Sequence, residues 1–289
     1  MIVLQAQGGL GNQLFQYATG RRLALQNSCG LVIDHHWFNN PRHGETPRQL
    51  DLTRYKVKMR LATQFELLHW APMRSRWARY IRHLLPLTLL REQGDGVNRN
   101  VLSARSHSYL SGFWQSEAYF AEIREQLLDE LTPVDPPGSE DLALLNLMQR
   151  GTPISVHVRR GDYVSLASAS TYHGLCTLEY YRRAIFYIAE RVSSPTVFVF
   201  SDDSEWTKAN LKLPLPTHFV DHNPPEKAFQ DLRLMSLCRN HVLANSSFSW
   251  WGAWLSRSTD GLVIGPERWY AVDRPTPDLI PSRWIRMAG

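Results

Sequence analysis

Ile2-Val3-Leu4-Gln5, then Gly8-Gly9-Leu10-Gly11-Asn12-Gln13 opening a run over residues 12–26, then Leu31-Val32-Ile33-Asp34: this beginning of the chain decides the fold. Short apolar runs bounded by glycine suit buried strands, and the run between them spaces its apolar residues as an amphipathic helix does. Strand, glycine turn, helix and strand in that order open a parallel βαβ unit. The alternation returns after residue 150, with strands expected at 154–158, 196–200, 218–221, 241–244 and 262–264 and helices near 178–192, 227–238 and 248–255. It implies a parallel, doubly wound sheet. Between the two regions, Thr132-Pro133-Val134-Asp135-Pro136-Pro137-Gly138 interrupts regular structure, so two domains are expected, 1–135 and 150–289. Residues 39–100 lose the period and predict only irregular helices and loops.

At 289 residues, 43% hydrophobic and 20% charged, the chain can bury one large core or two modest ones. Its 32 basic and 27 acidic residues leave +5, scattered rather than gathered, which argues against a nucleic-acid groove and suits an anionic substrate. Cys29, Cys176 and Cys238 are odd in number and far apart, so free thiols are expected rather than a disulfide framework. No basic and apolar leader precedes the first strand, and the longest apolar run, 84–90, contains Pro86 and is too short to cross a bilayer. A soluble, cytoplasmic protein without a transmembrane segment is expected.

Open parallel sheets bind ligands at the carboxyl ends of their strands, so the loops there carry the candidate chemistry. The first, residues 8–13, sets flexible backbone at a helix start, where N–H groups favour an anion. Gly9 and Gly11 match two positions of a dinucleotide fingerprint and Asp34 stands where a ribose-binding acid would, but Leu14 occupies the third small position and should obstruct close helix packing. A tight structural turn is the competing reading. The second loop ends His157-Val158-Arg159-Arg160-Gly161-Asp162-Tyr163; strand alternation puts Ser155, His157 and Arg159 on one face. A guanidinium there needs an anion, either phosphate oxygens or an internal carboxylate such as Asp162. The third, Ser201-Asp202-Asp203, is equally an acidic site and a helix cap by Asp203 or Ser204. The fourth, Asn245-Ser246-Ser247-Phe248, places hydroxyls and N–H groups at a helix N-terminus; plain serine capping is the alternative, and the sequon formed by Asn245 reads as a buried turn. No D-x-D pair and no histidine or cysteine cluster with ligand spacing occurs, so no metal is implied.

Together these motifs resemble the α1,2-fucosyltransferase family, glycosyltransferase family 11 of bacterial type, and the wider group of α1,6- and protein O-fucosyltransferases. H-x-R-R, here His157-Val158-Arg159-Arg160, is that group's phosphate-binding signature, and Gly161-Asp162-Tyr163 follows it in the α1,2 branch. The resemblance implies an α/β fold of GT-B type, two Rossmann-like domains facing across a cleft, the first toward the acceptor and the second holding GDP-fucose. Carried over residue by residue, Arg159 holds the pyrophosphate, His157 lies against the nucleotide, Ser246, Ser247 and Phe248 line the diphosphate turn, and Asp231 accepts the guanine N1 and N2 hydrogens. Asn12 faces the donor's phosphate and sugar, and Asp202 is a further donor-site candidate. The implied reaction is an inverting, metal-independent displacement without cofactor, carrying fucose to the 2-hydroxyl of a terminal β-galactoside on an oligosaccharide. Arg159 and Arg160 would stabilise the leaving phosphate, and Asp162 is the candidate base unless it instead orients Arg160. Acceptor choice is expected to lie in residues 35–130. An NAD-linked oxidoreductase, supported by Asp34, leaves the two arginines unexplained. A non-catalytic module using the ten tryptophans as sugar platforms is the other rival.

Overall fold

This computed structural model describes residues 1–39, 47–75, 77, 80–85, 87–161 and 174–288. The chain divides into two compact units, Met1–Val134 with Pro277–Leu279, and Asp135–Thr276 with Ile280–Gly289.

In the first unit five parallel strands, β1 (Ile2–Gln5), β2 (Leu31–Asp34), β3 (Arg60–Leu61), β4 (Thr88–Arg91) and β5 (Ser108–Ser111), run in the order β3-β2-β1-β5-β4. Val3 is in register with Val32 and Tyr109, and these pack with Leu67, Trp70 and Met73 on one face. The other face carries α1 (Leu10–Gln26). Contrary to the amphipathic expectation, α1 also buries Gln13, Gln16 and Thr19. The reason is amide matching: Gln13 donates to the carbonyls of Gly8 and Gln49 at 2.9 and 2.7 Å and accepts from Asp51 N–H, while Gln16 donates to Gly112 at 3.1 Å. Leu14 does not obstruct packing but lies wholly in the core. Helix and sheet approach closely at Gly20, where a Cβ would stand 2.9 Å from Leu31 Cδ1.

Strands β3, β4 and β5 gave no clear signal: β3 has two residues, β4 lies in an arginine-rich segment at the sheet edge, and β5 holds only two apolar residues between Ser108 and Ser111. Asp34, the candidate ribose acid, is fully buried and committed internally: it accepts from Arg74 Nη1 and Tyr109 Oη, both at 2.6 Å, and from His36 N–H at 3.0 Å. This removes the support it gave to a dinucleotide site. Asp34→Asn is expected to lower stability by about 2 kcal/mol, because charge-assisted bonds weaken while the Arg74 cation stays largely buried; urea unfolding measures it.

The second unit holds β6 (Thr152–Val158), β7 (Pro195–Ser201), β8 (Thr217–Val220), β9 (Asn240–Val242), β10 (Val263–Pro266) and β11 (Ile285–Met287), all parallel, in the order β11-β10-β9-β6-β7-β8. Their helices are α2 (Ser139–Met148), α3 (Leu178–Ala189), α4 (Ser204–Asn210), α5 (Ala228–Leu237) and α6 (Ser247–Trp254). On one face Ile154, Val156 and Val158 meet Tyr181, Ile185 and Ile188 of α3. On the other, Phe198, Phe200 and Val220 meet Met148, Leu234 and Met235, with Phe248 against them. Burial of each such side chain contributes about 1.5–3 kcal/mol, so the alternation seen in the sequence is enforced from both sides. The chain winds from β6 outward to β8, then returns to β9 on the far side of β6. The switch point lies between β6 and β9, and ligands bind beyond the carboxyl ends of strands at such a point.

Candidate active site

Beyond β6, the two arginines are held by acids from the end of β7. Arg159 Nη1 lies 2.9 Å from Asp202 Oδ2, and the Arg160 backbone N–H donates to Asp202 Oδ1 at 2.8 Å. Arg160 Nε pairs with Asp203 Oδ2 at 3.3 Å, and its guanidinium lies 3.6 Å from the centre of the Trp206 ring. Asp203 also caps α4, accepting from Trp206 N–H at 3.3 Å. The internal ion pair weighed in the sequence therefore exists, with Asp202 as its acid. Asp162 lies outside the described residues. Trp206 was missed; its signal was a tryptophan three residues after a capping aspartate, where the first helical turn returns to the loop.

Gly161 is needed for this arrangement, since a Cβ there would meet Asp202 Oδ2 at 2.8 Å. Asp202 is pinned by two partners and cannot retreat cheaply. Gly161→Ala is expected to strain the Asp202–Arg159 pair and lower stability by about 1–3 kcal/mol, as urea unfolding would show.

His157 points to the Phe248 face, their ring centroids 5.3 Å apart, so β6 and the start of α6 converge. Burial, with the Arg159 charge adding to it, lowers the His157 pKa to about 4 despite Asp202, leaving a neutral ring near pH 7. Its Nδ1 is buried and has no hydrogen-bond partner among the described residues. Ser246 caps α6, its Oγ accepting from Phe248 N–H at 3.3 Å, which leaves the hydroxyl proton available to an anion. Capping and anion binding are thus compatible here. Ser249 instead turns inward to the carbonyls of Ala244 and Ser246. Asn245 is buried and donates to Trp269 O at 3.2 Å, as a buried turn requires.

Asp231, on α5, accepts from Asn223 Nδ2 at 2.9 Å; the same amide donates to Asp141 Oδ1 at 3.1 Å, and His222 Nε2 lies 2.8 Å from that oxygen. Desolvation raises the Asp231 pKa to about 7 against the opposing pull of Asn223 and His222. Asn223, Asp141 and His222 gave no motif in the sequence, because they come from α2 and from the loop after β8. In the first unit Asn12 Oδ1 accepts from Gln115 Nε2 at 2.7 Å, tying the start of α1 to the segment after β5.

Seven of the ten tryptophans, Trp70, Trp114, Trp250, Trp251, Trp254, Trp269 and Trp284, are buried, which removes the basis for a module built on exposed sugar platforms. No helix among the described residues is long and apolar enough to cross a membrane.

The family described as Glycosyl transferase family 11 matches residues 92–288. An alpha-1,2-colitosyltransferase of Escherichia coli is 33% identical over 99% of this chain and 99% of its own. The galactoside 2-alpha-L-fucosyltransferase SEC1 of Bos taurus is 24% identical over all of this chain and 74% of its own. Among solved structures, an Arabidopsis thaliana FUT1 variant in complex with GDP has a TM-score of 0.53 at 13% identity, covering 97% of this chain and 72% of that one. At that identity the likeness bears on fold alone: an α/β chain of GT-B type with two Rossmann-like, parallel-sheet domains.

Proposed function

Since the chain belongs to glycosyltransferase family 11, we propose that it transfers L-fucose from GDP-β-L-fucose to the 2-hydroxyl of a terminal β-galactoside, with inversion and without a metal. The observation that carries this reading is the pair of arginines at the carboxyl end of β6, beside a switch point whose other strand leads into the Ser246 cap of α6. Two guanidinium groups and a helix N-terminus are the means by which a chain without a divalent ion can take up charge on a departing diphosphate. Asp231 supplies a carboxylate for the paired N–H donors of guanine. Asn12 is assigned to the donor from the first domain, and Asp162 is the candidate base.

The 33% identical colitosyltransferase supports a second reading, in which the sugar moved is colitose, the 3-deoxy counterpart of fucose. Both readings share the 1,2 linkage and differ in the sugar moved, so one assay separates them. Purified protein is incubated with GDP-fucose or GDP-colitose and a panel of β-galactosides in EDTA, and the product linkage is determined. Fucose on the galactose 2-hydroxyl is expected; transfer of colitose alone would replace the first reading, and dependence on added divalent ion would end the metal-free mechanism.

A further inference from the structure

The exposed apolar side chains of the first unit are concentrated in one segment. Leu61, Phe65, Leu68, Trp77, Tyr80, Ile81 and Leu84 are 38–77% exposed, while Leu67, Trp70, Met73 and Leu87 of the same segment anchor it in the core. This segment therefore has a seated side and an apolar outer side, unlike a loop that merely projects. Phe65 and Leu68 lie three residues apart on the helix Gln64–His69, and the rings of Trp77 and Tyr80 stand 5.5 Å apart. By sequence the stretch is also basic: from Leu61 to Arg91 it carries Arg74, Arg76, Arg79, Arg82 and Arg91 with His69 and His83 against one acid, Glu66, which is paired with Arg60, while Arg74 is itself paired with Asp34.

We propose that this segment docks the enzyme onto an anionic lipid surface. Large exposed apolar area rarely stands without a partner, and tryptophan, tyrosine and leucine mixed with arginine is the composition that settles at the boundary of headgroups and acyl chains. Arginines attract anionic headgroups over roughly a Debye length, and the aromatic and aliphatic side chains then bury area that water would otherwise face. A second copy of the chain fits less well. A symmetric contact through this face would set arginine-rich segment against arginine-rich segment, and the one acid of the stretch, Glu66, is already engaged by Arg60.

The test uses the full chain and flotation with vesicles of phosphatidylcholine alone or with about 30% phosphatidylglycerol. Binding to the anionic vesicles, weakened by salt, is expected, with little binding to phosphatidylcholine. The double variants Phe65→Ser/Leu68→Ser and Trp77→Ser/Tyr80→Ser are each expected to lower the vesicle partition coefficient about tenfold or more. Transfer to a soluble β-galactoside and the melting curve should stay as in the parent, which separates lost docking from lost folding. Equal binding to both vesicle types, anionic binding that survives both double variants, or a dimer in solution that these variants dissolve would overturn the proposal. So would a fall in transfer to the soluble acceptor, since the segment would then belong to the acceptor site.

Discussion

Arg159→Ala is expected to lower the rate of sugar transfer by ~10²–10³, with the circular dichroism of the parent retained, because one preorganised donor to the developing phosphate charge is lost. The structure adds a condition to this. Arg159 shares Asp202 with the Arg160 backbone, so its guanidinium is positioned before any donor arrives. Arg159→Lys keeps the charge but not the planar fork, and should restore only a minor part of the rate. The readout that matters is the split between binding and turnover. A loss confined to GDP affinity, with turnover at saturation equal to the parent, would place Arg159 in ground-state binding and refute its role in the transition state.

Asp231→Asn should weaken GDP binding by ~10²-fold and reduce the preference for GDP over ADP, since an amide can accept from only one of the two neighbouring guanine donors and presents its own N–H to the other. A pH signature accompanies this. In the proposed role Asp231 accepts from guanine only when ionised, and burial has lifted its pKa from the ordinary 3.8 to about 7. Affinity for GDP should therefore rise as pH increases toward 7 and level off above it, and the variant should lack this rise. Stability runs the other way. The folded protein keeps the Asp231 proton across a range in which the unfolded chain has released it, so this contribution, full below about pH 4, is lost as pH rises through about 7. Asp231→Asn should accordingly raise the melting temperature at pH 8 relative to the parent. A variant that bound GDP normally, or that lost stability at pH 8, would show that Asp231 is a structural acid.

How far the sequence reached depended on how local each signal was. The βαβ opening and five of the six strands of the second unit were legible because apolar runs and glycine turns lie within a few residues of one another; β11, three residues at the sheet edge, was not. The parallel, doubly wound character of the sheet followed from alternation alone, though not its strand order. The need of Arg159 for a counter-anion was legible for the same reason: an arginine at the end of a buried strand demands an acid or a phosphate within reach. Which acid could not be read, since Asp202 lies 43 residues after Arg159 and is brought beside it only by the register of β6 with β7. The chain His222–Asp141–Asn223–Asp231 was illegible on the same ground. Gln13 and Gln16 illustrate a different failure, in which buried amides were read as a polar outer face because their carbonyl partners come from segments far along the chain.

The wall of indoles behind α6 bears on the timing of catalysis. Trp250, Trp251 and Trp254 lie in mutual contact, their ring centroids 5.0–6.1 Å apart, and Trp284 closes on Trp250 at 5.3 Å. A dipole that has to swing into place as charge develops loses part of its effect to its own reorientation. One clamped at its base by four interlocked rings does not, so the alignment of the α6 terminus was settled once, when the chain folded, and is not renegotiated at each turnover.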